Sequence, residues 1–220
     1  MQLPDSLSQP GRLPTSIELA AALTLLSVLP AVLVSVTCFT RIIIVLSFVR
    51  RAMSLQELPP NQVLLGLSMF LTLFVMYPTG SQIYDRAVVP YLENRSSVKE
   101  ACETGGQILE TFLLKHTRDA DLELFADIGK VEIPKSRTEL PLRVVIPAYL
   151  LSELKTAFTM GFLIFLPFVL IDLVVSSVLL SMGMFMLPPP MISTPLKVLL
   201  FVLVDGWNLI VRSLVTSVSI

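Results

Sequence analysis

The sequence predicts an all-α protein of integral-membrane type, made of apolar helical hairpins with a helical polar domain inserted between them. Three observations carry this. Of the 220 residues 54% are hydrophobic and 15% charged, with a mean hydropathy of +0.78, whereas an ordinary soluble domain holds about 45 to 50% apolar and about 25% charged residues. The apolar residues gather in long runs, 19–40, 63–77, 148–180 and 196–220, and roughly 20 such residues cross a hydrocarbon layer as helix. Adjacent prolines, which cannot continue a helix, punctuate the runs at Pro59-Pro60 and Pro188-Pro189-Pro190.

Residues 1–18 read as a polar N-terminal tail. Pro and Ser are frequent there and Arg12 is the only basic residue, so the charged start and short apolar core of a secretory leader are missing. Residues 19–78 form the first expected hairpin. Its first run is interrupted by Pro30, and a signal-anchor role stays open for it. Arg41 separates that run from Ile42 to Val49; a basic turn follows at Arg50-Arg51, and the second run, Val63 to Tyr77, is short for a straight span. Basic residues in short loops favour the cytoplasmic side. That sends the segment after Pro78 outward, to the periplasm in a bacterium.

Residues 79–146 are the expected polar domain. Ile108 with Phe112, and Leu109 with Leu113, repeat at i, i+4 among charges, the pattern of an amphipathic helix. A loop from Gly129 to Leu140 follows. Residues 147–220 form the second hairpin, with its helix starting after Pro147. A Met-rich turn, Met182 to Met191, divides it.

Charge and composition exclude several classes. A net charge of −1 with the two signs interspersed offers no basic face for nucleic acid. Cys38 and Cys102 make neither a disulfide framework nor a metal site. His116, the single histidine, lies among polar residues and reads as solvated. No apolar run carries a His, Cys or metal cluster and there is no Gly-rich phosphate loop, so an intramembrane enzyme is disfavoured; no cofactor is implied.

The charges that remain inside the last apolar stretch are informative. Glu153, Lys155, Asp172, Lys197 and Asp205 stand in sequence hydrophobic enough for membrane helix, where an ionisable group costs about 2.5 to 3.5 kcal/mol and so faces a bundle interior, a cavity or a partner. Glu153 and Lys197 suit a charge pair, or two side chains that snorkel to water. Asp172 and Asp205 stay open between buried structural carboxylates and parts of a conduction path. Met182, Met184 and Met186 are soft enough to seal around a variable object or simply to fill an irregular turn. Phe112 and Phe125, on an amphipathic stretch, read first as core.

Four segments together carry a resemblance. Cys38-Phe39-Thr40-Arg41-Ile42-Ile43-Ile44-Val45-Leu46-Ser47, Pro59-Pro60-Asn61-Gln62-Val63-Leu64-Leu65-Gly66-Leu67, Ser152-Glu153-Leu154-Lys155-Thr156-Ala157-Phe158 and Phe201-Val202-Leu203-Val204-Asp205-Gly206-Trp207 resemble the signatures of the FliP family of flagellar type III export-gate proteins. The likeness runs from about Leu3 through nearly the whole chain. Injectisome relatives share the pattern, while Phe39-Thr40-Arg41 and Asn61-Gln62-Val63 look more like the flagellar branch.

The resemblance implies a subunit of a protein-export gate in the inner membrane, at the flagellar basal body. FliP-like subunits form a pentamer, assemble with FliQ and FliR beside FlhA and FlhB, and pass exported flagellar proteins through the ring. Much of the apolar sequence then lies in a helical assembly raised from the bilayer plane. The resemblance also implies a pore gasket at Met184, Phe185 and Met186, where Phe185 replaces the usual methionine, an aromatic plug at Phe112 and Phe125, and an inter-subunit ion pair between Glu153 and Lys197. Family members usually begin with a signal peptide. From residue chemistry alone the alternative is a stand-alone ion or solute transporter whose path is lined by Glu153, Asp172 and Asp205.

Overall fold

The computed structural model describes residues 15–55, 58–131 and 140–219. The polar tail up to residue 14 and most of the expected 129–140 loop lie outside the described residues. Among the described ones the architecture is helical, with no strand.

Helix α1, Thr15–Ser35, is a compact unit by itself; the chain from Val36 onward forms the second. Thr24 and Ser35 return their hydroxyls to the carbonyls of Ala20 and Ala31, four residues back, at 2.8 and 2.7 Å. Such back-bonding satisfies a polar group on a helix whose surface is apolar: Leu19, Leu23, Leu26, Leu29 and Leu33 are all exposed.

Helix α2, Phe39–Ala52, buries Arg41, Ile42, Val45, Leu46, Val49 and Ala52, a stripe at helical spacing. Arg50 and Arg51 in its last turn complement the helix dipole. Arg50 Nη1 also donates to Asn61 Oδ1 at 2.6 Å, closing the basic turn onto the start of α3.

Helix α3, Asn61–Ile83, starts directly after Pro60, as the proline pair requires. It does not stop at Pro78. It runs through a π-helical turn, Tyr84–Val88, into α4, Val89–Leu92, and Asn61–Leu92 is one apolar helix of 32 residues. A proline inside a helix removes one N–H and leaves the carbonyl four residues back without its helical donor, a loss that helices in apolar surroundings tolerate when neighbouring groups offset it. The expected short second run is thus a full-length candidate span.

Helix α5, Val98–His116, opens with a reciprocal cap in which the Glu100 N–H donates to Ser97 Oγ at 3.3 Å and the Ser97 N–H donates to Glu100 Oε2 at 2.7 Å. Helix α6, Asp119–Ile128, follows after a two-residue break and ends at Gly129. Helix α7, Leu142–Ser181, has 40 residues, about 60 Å at the α-helical rise. It starts after Pro141, earlier than expected, and contains Pro147 and Pro167 in its interior. Helices α8, Pro190–Leu203, and α9, Gly206–Ser219, meet at a bend of 65°.

Two apolar cores organise Val36 and the helices after it. The first joins α2 residues Ile42, Val45, Leu46 and Val49 to Ala157 and Phe168 of α7, Phe201 of α8 and Ile210 and Leu214 of α9. The second joins Leu113, Leu114, Leu122 and Ala126 to Val144, Val145, Ala148 and Tyr149, at the start of α7. The polar middle therefore shares its core with α7. The inserted polar domain expected from composition is not a separate compact unit, because α5 and α6 cover one face of α7 with their own apolar stripes.

Two glycines set close approaches. A Cβ on Gly161 would stand 2.6 Å from the Phe48 ring, so its absence lets α2 press onto α7. A Cβ on Gly206 would stand 2.4 Å from the Phe201 ring. There Asp205 has a positive φ of 51° and Phe201 meets Trp207 edge-on at 5.3 Å, which fixes the corner between α8 and α9. Two described helices are long and apolar enough to cross a membrane, up to four if broken pairs count as single spans.

Candidate functional site

Glu153 is buried on α7, and its partner is Arg41 of α2. Arg41 Nε donates to Oε2 at 2.8 Å and Nη2 donates to Oε1, a two-pronged fit of guanidinium to carboxylate. The remaining Arg41 nitrogen, Nη1, donates to the carbonyl of Ser217 at 2.7 Å and to its Oγ at 3.1 Å. One arginine thus clamps α2, α7 and α9. A buried ion pair is tolerable when geometry is good and the leftover donors are satisfied, and both conditions hold here.

Lys197 of α8 is likewise buried, and its ammonium donates to Asp172 Oδ2 of α7 at 2.6 Å and to Ser54 Oγ at 2.7 Å. Asp172 is 39% exposed while Lys197 is 2% exposed. Glu153 and Lys197 do not meet within the chain; each is held by a different opposite charge. Asp205, expected in the apolar run, is exposed at the corner between α8 and α9, because the helix breaks there.

A third polar cluster was not visible as a motif. Asp121 of α6 is buried; it accepts from Ser152 Oγ at 2.7 Å and from the Lys155 ammonium. The Arg118 N–H donates to Ser152 Oγ at 3.1 Å, and Arg118 Nη2 to Thr156 Oγ1 at 3.2 Å. Burial raises the Asp121 carboxyl's pKa, but the bonds from Lys155 and Ser152 and the charges of Lys155 and Arg118 outweigh it and hold the group below the usual carboxylate range. This latch ties α6 to α7. Its members come from two stretches of the family likeness, Ser152-Glu153-Leu154-Lys155 and Thr117-Arg118-Asp119-Ala120-Asp121-Leu122, which no spacing rule connects.

Phe112 is half-buried, packs against both apolar cores, and meets the rings of His116 and Tyr149 in tilted contacts with centroids at 4.5 and 6.2 Å. Phe125 is half-buried against the second core. Within the chain both rings behave as core. His116, expected to be solvated, is half-buried; Nδ1 lies 2.8 Å from the Phe112 carbonyl and Nε2 lies 2.8 Å from the Val218 carbonyl. It ties α5 to α9.

The methionine turn is apolar and exposed. Met182, Gly183 and Met184 leave α7 through a glycine with φ 75°, and Met184, Phe185 and Met186 are 40%, 78% and 98% exposed. A packed Met-rich turn would bury these side chains. Among the described residues there is no group of His, Cys, Asp and Glu that could hold a metal ion.

Against known proteins, the profile of the FliP family matches residues 22–214. The chain is 52% identical over 212 residues to the flagellar biosynthetic protein FliP of Bacillus subtilis strain 168, covering 96% of each chain. It is 48% identical over 221 residues to that of Pectobacterium carotovorum subsp. carotovorum, covering 98% of this chain and 86% of the relative. The chain belongs to the FliP family. With the FliP protein of Aquifex aeolicus strain VF5 it shares 48% over 209 residues, 94% of this chain and 87% of the relative. The matched span takes in Arg41, Glu153, Lys197, the methionine turn and the corner at Gly206.

Proposed function

We propose that this FliP-family chain is a subunit of the flagellar protein-export gate, multi-pass in the inner membrane of a bacterium, without catalysis of its own. In this reading five copies form a ring with FliQ and FliR, next to FlhA and FlhB, and exported flagellar proteins pass through it. The observation that carries the reading is the methionine turn. It stands at the junction of two long apolar elements with Met186 at 98% exposure, and a soft exposed thioether cluster needs something to close upon. In a ring, copies of Met184, Phe185 and Met186 would close upon one another and part for a passing chain. Phe185, stiffer than methionine, narrows the seal more than it cushions it.

Phe112 and Phe125 would form the aromatic plug after a small shift of α5 and α6, since both rings are half-buried at the edge of the second core. Glu153 and Lys197 would support assembly by holding the subunit's own helices, through Arg41 and Asp172, in the shape that neighbouring copies meet. The transporter reading loses its basis: Glu153 is neutralised by Arg41, Asp172 by Lys197, and Asp205 is at an exposed corner.

The test is ion conductance of the assembled gate. Replacing Met184 and Met186 by Ala is expected to leave assembly intact and to let small ions leak when the complex is placed in a planar bilayer. Wild-type conductance from a correctly assembled double variant would refute the gasket.

A further inference from the structure

A cavity of about 590 Å³ lies between the outer half of α3, the π-helical turn, α5 and the end of α9. Its lining contains Arg86, Lys115 and His116, with Gln82, Gln107 and Thr104 as further hydrogen-bonding side chains and no carboxylate among the described lining residues. Neither Arg86 nor Lys115 has an ion-pair or hydrogen-bond partner for its side chain among the described residues. Both side chains are exposed, so an anion entering the cavity can reach them directly.

Both ring nitrogens of His116 face backbone carbonyls at 2.8 Å, so this side chain is held in place at the cavity wall by α5 and α9. The nearby carboxylate, Glu153, is already engaged by Arg41. The backbone also departs from regularity at this place. Arg86 lies in the π-helical turn Tyr84–Val88, an irregularity frequent at functional sites. The turn places Gln82 and Arg86 on the cavity wall opposite Gln107, Thr111 and Lys115, which follow at i, i+4 spacing along α5. The two walls pack closely at Gly105, where a Cβ would sit in ordinary contact with Ile83 and Ala87 at 3.6 and 3.7 Å.

We propose that this cavity binds a phosphate group, held by Arg86 and Lys115 with Gln82, Thr104 and Gln107 as further hydrogen-bonding side chains. Two sources of phosphate fit. The headgroup of an anionic phospholipid would place its chains along the exposed apolar face of α3, where Phe70, Phe74 and Tyr77 stand just before the cavity residues Pro78 and Thr79. A free phosphate would use the polar walls alone. The site depends only on the fold of α3, α5 and α9, and does not rest on the export reading.

The experiment uses the full chain in a neutral maltoside detergent. Binding of dioleoyl-phosphatidylglycerol, dioleoyl-phosphatidylcholine and inorganic phosphate is measured by native mass spectrometry and by thermal shift, for wild type, for R86Q/K115Q and for the exposed control K99Q. We expect phosphatidylglycerol or inorganic phosphate to bind. Loss of the charge-assisted contacts should raise Kd about tenfold or more in R86Q/K115Q, with no change in K99Q. Preference for phosphatidylglycerol over both other probes identifies a headgroup site, and binding of inorganic phosphate without it identifies a free-oxyanion site. The proposal is overturned if neither anion binds, if phosphatidylcholine binds as tightly as phosphatidylglycerol and phosphate does not bind, or if R86Q/K115Q keeps wild-type affinity for both anions.

Discussion

Glu153 shows what one buried charge does. Its carboxylate is satisfied on both oxygens by Arg41, so Glu153→Ala leaves an arginine buried and unpaired, at a cost of about 3 to 5 kcal/mol. Chemical unfolding or thermal shift in detergent should show that loss, and replacing Arg41 and Glu153 together by Met should recover much of it. The Lys197–Asp172 pair is asymmetric. Lys197 is 2% exposed and Asp172 39%, so Asp172→Ala strands a buried cation whereas Lys197→Met leaves a carboxylate that reaches solvent. Asp172→Ala should therefore be the more destabilising by about 1 kcal/mol or more, and equal losses in the same assay would contradict this.

Asp121 supplies a pH dependence at the same scale. Its folded-state pKa lies below the unfolded value because the bonds and charges of Lys155, Ser152 and Arg118 outweigh its burial. A depressed carboxyl contributes stability above the unfolded pKa, about 3.9, and the contribution is lost as pH falls through the lower folded value. Wild type should thus lose stability below about pH 4 more steeply than Asp121→Asn, measured by thermal unfolding across pH 2 to 7. Coincident acid limbs would remove Asp121 as a contributor.

At the scale of the elements, packing is set by two missing side chains. Gly161→Val should push the Phe48 ring away, since even a Cβ would stand 2.6 Å from it, and overpacking of this kind costs about 1 to 3 kcal/mol; Gly66→Val, with open space at its Cβ, is the control. The apolar runs and the helix start after Pro60 were legible because composition and proline chemistry are local. The continuation of α3 through Pro78 was not. A proline signals a helix end by its missing N–H, and whether surrounding groups tolerate that loss is a tertiary matter. The pairing of charges was hidden for the same reason: Arg41 and Glu153 lie 112 residues apart, and no spacing rule connects them. His116 looked solvated from polar neighbours in sequence, while its partner at Val218 comes from the far end of the chain.

For the molecule as a whole, exposed apolar surface is the dominant fact. The candidate spans Asn61–Leu92 and Leu142–Ser181 are each only 17% buried over their most apolar stretch, and Phe70, Phe74, Phe158 and Phe162 all face outward. Such faces need lipid or neighbouring subunits. Hydropathy read this correctly as a need for cover, and it is blind to what supplies the cover, so membership of the FliP family adds what composition cannot. The most direct test is co-purification with FliQ-family and FliR-family partners, followed by native mass spectrometry of the detergent-solubilised complex. A discrete hetero-oligomer containing five copies of this chain is the expected result; a stable lone monomer or homodimer that excludes both partners would contradict the export-gate reading.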